Sequence, residues 1–188
     1  MNKKHQVLVL IIIILLIFLI LNIDLEKLFF KKPSVKPLPS LVFWSYRREI
    51  TINNPHSSTL TDFQINITLN TTQLISQGKM RSDCGDIRFT DSDGSTQLSY
   101  WIESGCNSDN TKIWVKVPSI PAGSKKIYVY YGNPSANSTS NGDTTFVLFD
   151  DFNDGVLDTN KWQPYSCGSG SVSEEKGYLR LVRGGSGL

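Results

Sequence analysis

Residues 81–117 read RSDCGDIRFTDSDGSTQLSYWIESGCNSDNTKIWVKV, and their pattern decides the fold. Asp86 to Thr90 and Gln97 to Glu103 are β-prone runs, and the intervening Asp91-Ser-Asp-Gly94 is turn chemistry. Glycine supplies a positive φ, and aspartate side chains hydrogen-bond their own turn backbone. Cys84 and Cys106 flank this turn and fall near the open end of the resulting hairpin. A disulfide there closes a loop of roughly twenty residues and contributes roughly 3 kcal/mol in the chain-entropy picture. Two independent buried thiols are the alternative; a chain that leaves the cytoplasm favours the bridge.

The acidic turn also invites a calcium reading. With Gly94 as the invariant glycine of an EF-hand loop, Asp91 and Asp93 take ligand positions three and five. Position one then falls on Phe89 and position twelve on Tyr100, where a carboxylate is required. The EF-hand fails, which leaves a plain solvated turn or a looser calcium-stabilised one at Asp91 and Asp93.

Outward from this stretch the strands continue. Tyr46 to Ile52, Phe63 to Leu69, Thr111 to Val117 and Lys125 to Tyr131 alternate with period two or are rich in β-branched residues. Turn clusters at Asn53-Asn-Pro55, Cys106 to Asn110 and Pro118 to Gly123 separate them, and Thr71 to Gly78 predicts a short helix. Short strands punctuated by turns predict an all-β fold: an antiparallel, jelly-roll-like β-sandwich over residues 42–132. Leu98, Tyr100, Ile102, Ile113, Val115, Val117, Ile127, Val129 and Tyr131 form its expected core. The opposite faces carry Trp101 and Trp114, then Tyr128 and Tyr130. If their strands are neighbours, these four aromatics form one stripe, a platform for sugar rings or a protein partner. A second layer lying over them is the competing expectation.

The N-terminus sets a second theme. After a tail of residues 1–6, Val7 to Ile23 is uncharged and almost wholly apolar. As a helix it covers about 25 Å, a little short of a ~30 Å hydrocarbon core. No small-x-small cleavage signature follows, and Leu25, Leu28, Phe29 and Phe30 extend the apolar surface. An uncleaved signal anchor, a single transmembrane helix, is favoured over a cleaved signal peptide. Residues 24–41, with KKPSVKPLPS, read as a proline-stiffened stalk. Lys3 and Lys4 precede the span while Lys27, Lys31, Lys32 and Lys36 follow it, so the charge rule taken alone favours the opposite orientation. The cysteines and three glycosylation sequons, at Asn66, Asn70 and Asn137, favour an extracellular body.

Phe43-Trp-Ser-Tyr-Arg-Arg-Glu-Ile-Thr-Ile52, Gly78-Lys-Met80, Asp83-Cys-Gly-Asp-Ile-Arg-Phe89, Leu98-Ser-Tyr-Trp-Ile-Glu103, Ile113-Trp-Val-Lys-Val-Pro118 and Ile127-Tyr-Val-Tyr-Tyr-Gly-Asn133 follow in order. Together they resemble domain of unknown function 2341, found in archaeal and bacterial surface proteins, over about Val42 to Ser135. The resemblance implies a cell-surface β-domain and carries over no catalytic residue. Some relatives are proton-channel-type proteins with several spans, a role that a single apolar run argues against.

Residues 133–144 read as a linker, low in apolar residues. Within 145–188, Thr145-Phe-Val-Leu-Phe-Asp-Asp-Phe-Asn153, Leu157-Asp-Thr-Asn-Lys-Trp162 and Gly177-Tyr-Leu-Arg-Leu-Val182 resemble the opening of a concanavalin A-like lectin/glucanase module. The remaining length is far short of a jelly roll, so an incomplete second β module, or a tail that packs on the first domain, is expected. Cys167 is then the odd cysteine, with its partner beyond this stretch. Asp150 and Asp151 sit in turn-like sequence where capping or calcium suits them better than catalysis.

The net charge of +2 and the clustering of lysines near the stalk argue against nucleic acid. The two histidines, His5 and His56, and the absence of zinc-type spacing leave little for histidine or metal catalysis. Three readings remain: a membrane-anchored extracellular module binding glycan or a surface protein, a structural spacer, and the front of a surface glycoside hydrolase. Calcium is the one cofactor that the acids suggest.

Overall fold

The computed structural model describes residues 41–163 and 170–184, together with residues 2, 3, 5 and 6. The apolar span at 7–23, the stalk up to residue 40 and Cys167 lie outside the described residues. Among those described, no helix is long and apolar enough to cross a membrane.

The chain from Tyr46 is β-rich, with strands β1 (Tyr46–Asn54), β2 (Leu60–Leu69), β3 (Arg88–Thr90), β4 (Gln97–Leu98), β5 (Tyr100–Ser104), β6 (Thr111–Ile120) and β7 (Gly123–Tyr131). One sheet has the order β1-β7-β3-β4 and the other β2-β6-β5, with every pair antiparallel. Alternation explains the packing. Ile113, Val115 and Val117 of β6 and Ile127 and Val129 of β7 point inward and join Phe89, Tyr100 and Ile87 in a single hydrophobic core. Lys112, Trp114 and Lys116 take the other face of β6, as a period of two requires. All the core residues expected from the sequence belong to this cluster or pack against it.

The Gln97–Glu103 run is not one strand. Leu98 pairs with Phe89 in the first sheet, and from Tyr100 the chain pairs with β6 in the second. The chain switches sheets at Ser99, whose carbonyl accepts from Lys116 N at 2.9 Å. Leu98 and Tyr100 both face the core across the switch. The crossing stitches one side of the sandwich and leaves β1 and β2 as edge strands on the other.

The expected short helix is α1 (Thr71–Ser76). Asn70 caps it by accepting from Gln73 N at 2.8 Å, satisfying a helix donor that has no partner within the helix. Cys84 and Cys106 are disulfide-bonded with Cα atoms 5.8 Å apart, tying the loop before β3 to the one before β6.

The expected linker is not a free tether. Asn141 N donates to Tyr100 O, Ile102 N to Ser140 Oγ, and a short helix α2 (Gly142–Thr145) lies against the second sheet. Gln64 of β2 donates to Thr145 O at 3.0 Å. Hydrogen-bonded serine and asparagine hold this segment in place of apolar residues. Farther on, β8 (Ser171–Glu175) and β9 (Tyr178–Val182) form a separate antiparallel hairpin.

Candidate functional site

At one end of the sandwich, three distant segments meet around Asp86. Its carboxylate is fully buried and accepts from Gly132 N at 2.7 Å, and from Asn133 N and Arg81 N at 3.2 Å. Those bonds satisfy a charge that would otherwise be costly to bury, and they fix the surrounding backbone. Asp86 is therefore a positioning residue for what lies above it.

Above it opens a cavity of about 340 Å³ with Tyr46, Lys79, Arg81 and Gly132 on its wall. The Tyr46 ring stacks on Tyr131, its partner across β1 and β7, with centroids 5.5 Å apart, and stays 38% exposed. Gly132 makes this possible: φ is +89°, and a Cβ there would meet the Tyr46 ring at 2.6 Å. The Lys79 ammonium stands 5.8 Å over the same ring. Arg81 is held by both oxygens of Asp83, at 2.9 and 2.7 Å, and reaches Pro134 O. The guanidinium keeps the Asp83 carboxyl below the ordinary carboxylate range. An aromatic wall with cations at its rim can hold a sugar face or an anion. Sequence reasoning did not single out this site, although its parts lie in motifs already quoted. The signal was an acid inside an apolar run, Cys84-Gly-Asp-Ile87, and a glycine directly after Tyr131.

The four aromatics expected to share a stripe do not. Trp101 and Trp114 are direct partners on the outer face of the second sheet, whereas Tyr128 and Tyr130 lie on the first. Phe146 and Phe149 cover the tryptophans edge-on, Phe149 at 4.7 Å from Trp101 and Phe146 at 5.7 Å from Trp114. Phe149 fits because Gly142 has no side chain; a Cβ there would stand 2.2 Å from the ring. Tyr130 is buried and donates to Gly94 O, while Tyr128 lies under the Arg47 guanidinium at 4.5 Å.

At the acidic turn, Asp93 accepts from Ser95 N, Thr96 N and Thr96 Oγ1, and these bonds hold its carboxyl below the usual range. Asp91 pairs with Lys125 at 2.7 Å. Burial alone would raise the Asp91 carboxyl, but the lysine and Ser92 outweigh it and the net shift is downward. These acids close a turn: the turn itself supplies the partners of Asp93, and Lys125 of β7 pairs with Asp91. Asn66, Asn70 and Asn137 are all exposed. Asp150 and Asp151 line a second cavity, lower in the chain.

Residues 83–165 match the family model described as "Domain of unknown function (DUF2341)". The DUF2341 match begins in the disulfide loop, covers β3 to β7, and continues through the segment that carries Phe146 and Phe149. That segment packs on the sandwich, so the match extends beyond the sandwich strands. No curated protein and no solved structure matches the chain.

Proposed function

We propose that this protein is a membrane-anchored extracellular binding module, non-catalytic in itself, that holds a glycan or a surface-protein partner. The observation that carries the reading is the Tyr46 ring, braced by Tyr131 and left half-exposed on a cavity rimmed by Lys79. A rigid aromatic wall binds a sugar face at little entropic cost, because the ring is already ordered. The disulfide suits an oxidising compartment, the exposed Asn66, Asn70 and Asn137 suit glycosylation, and the apolar run at 7–23 suits an anchor. The concanavalin A-like resemblance of residues 145–188 supports carbohydrate as the partner class.

A glycan array probed with the purified chain tests the reading, alongside a cell-surface pull-down. Tyr46→Ala and Lys79→Ala should each abolish capture of the ligand while leaving the fold unchanged by circular dichroism. Binding that survives both changes, or no ligand at all, favours a structural spacer. The covered Trp101–Trp114 pair favours that second reading, since it uses aromatic surface for internal packing.

A further inference from the structure

The sandwich is open along one side. β1 and β2 are edge strands of different sheets, so no ladder of backbone bonds joins them. At one end the gap is tied by buried Asn54, whose amide donates to Ser58 O at 2.9 Å and to Ile120 O at 3.1 Å. Towards the other end a cleft of about 240 Å³ enters between the strands. Ile50 of β1 and Ile67 and Leu69 of β2 line it, together with Phe89 and Val129 of the first sheet. Ile50 and Ile67 pack against the core yet stay half-buried at this gap.

The wall of the cleft also carries charge. Arg48 shares the face of β1 that holds Ile50, since side chains alternate along a strand. Exposed itself, it stands at the mouth. Glu49 on the same wall is paired with Lys126 at 2.9 Å. Among the described residues Arg48 has no ion pair, so it is the cleft's one uncompensated charge.

We propose that the cleft binds a small aliphatic carboxylate, its chain between the sheets and its carboxylate on Arg48. A guanidinium suits that head group because its planar fork donates two parallel hydrogen bonds. The chain would displace water from Ile50, Ile67 and Leu69, a gain that grows with the apolar area covered. The space is smaller than the ~300–1,000 Å³ of pockets for drug-sized ligands. It therefore takes a chain of a few carbons and not the whole acyl chain of a membrane lipid. The cleft shares no lining residue with the cavity at Tyr46, so the two sites are independent. An inward arginine on an edge strand also deters pairing with another chain, a role that needs no ligand.

Isoleucine methyl NMR of the full chain in a lipid nanodisc separates these roles. Titrated hexanoate should shift the methyls of Ile50 and Ile67 saturably and leave those of the enclosed Ile113 in place. Lengthening the acid from butanoate to hexanoate should tighten binding about fourfold per methylene. Hexylammonium, with the same chain and the opposite charge, should not saturate the shifts. Arg48→Gln should weaken hexanoate about two- to fivefold, the worth of an exposed ion pair, and Arg48→Lys should restore most of that loss. Unmoved Ile50 and Ile67 methyls, equal binding of hexylammonium, or unchanged affinity in Arg48→Gln would overturn the proposal and leave Arg48 as an edge guard. A further large gain with dodecanoate, at equal free concentration, would assign the cleft to lipid chains and overturn the small-acid reading.

Discussion

The sandwich and the C-terminal piece solve the problem of burial in opposite ways. In the sandwich, Ile87, Ile113, Val115, Val117 and Ile127 are wholly enclosed between two sheets, and a disulfide closes the loops at one end. In residues 150–184, the apolar side chains described are at best half-buried, and Leu181 is 71% exposed. The side chain buried there is Glu174, an acid. A two-stranded hairpin cannot enclose a core by itself. The sandwich is thus held by apolar area and a covalent link, while the later piece leans on charge and on the ring contact of Phe152 with Trp162.

The sharpest way to break this contrast is at the centre of the core. Phe89→Ala should cost about 3–5 kcal/mol in chemical denaturation, because a ring enclosed by Tyr100 and its neighbours leaves a cavity. Replacing Cys84 and Cys106 together by serine should cost roughly 3 kcal/mol, read from the same transition. Phe149→Ala probes the join between the two regions. Losing its edge contact with Trp101 should cost about 1 kcal/mol and shift tryptophan emission to the red as the indole meets water. Leu181→Ser, in the hairpin, should change stability by less than about 0.5 kcal/mol; a larger loss would mean that the hairpin has a hidden partner. The smallest effect is electrostatic. Asp93 has a depressed folded-state value, so its stabilisation is present above the ordinary aspartate range and fades as pH falls through that lower value. An NMR titration should find Asp93 still ionised at a pH where an unperturbed aspartate is protonated.

Strand positions and inward faces were legible because alternation is a local signal. β6 spells its own burial in Thr111-Lys-Ile-Trp-Val-Lys-Val117. The assignment of strands to sheets was not legible. Leu98 and Tyr100 keep the same parity across the switch at Ser99, so a strand that changes sheets reads like one that does not. For the same reason Tyr128 and Trp114 look equivalent in sequence yet lie on opposite outer faces. The cavity at Tyr46 joins residues near positions 46, 79 and 132, and only the folded chain brings them together. Glu174 was hidden because Ser171-Val-Ser-Glu-Glu175 reads as a polar edge strand. The disulfide was legible, since two cysteines framing one turn leave few other pairings.

The register of β1 against β7 has a mechanical consequence. Tyr46 lies opposite Tyr131 and Asn54 opposite Gly123, so the chain enters and leaves the sandwich at the same end. A force pulling on the chain before β1 and after β7 would load that ladder one rung at a time, starting at the Tyr46–Tyr131 stack, and would not shear all its hydrogen bonds at once. Under tension that ladder would open like a zipper, and its first cross-strand pair to part would be the aromatic wall of the cavity.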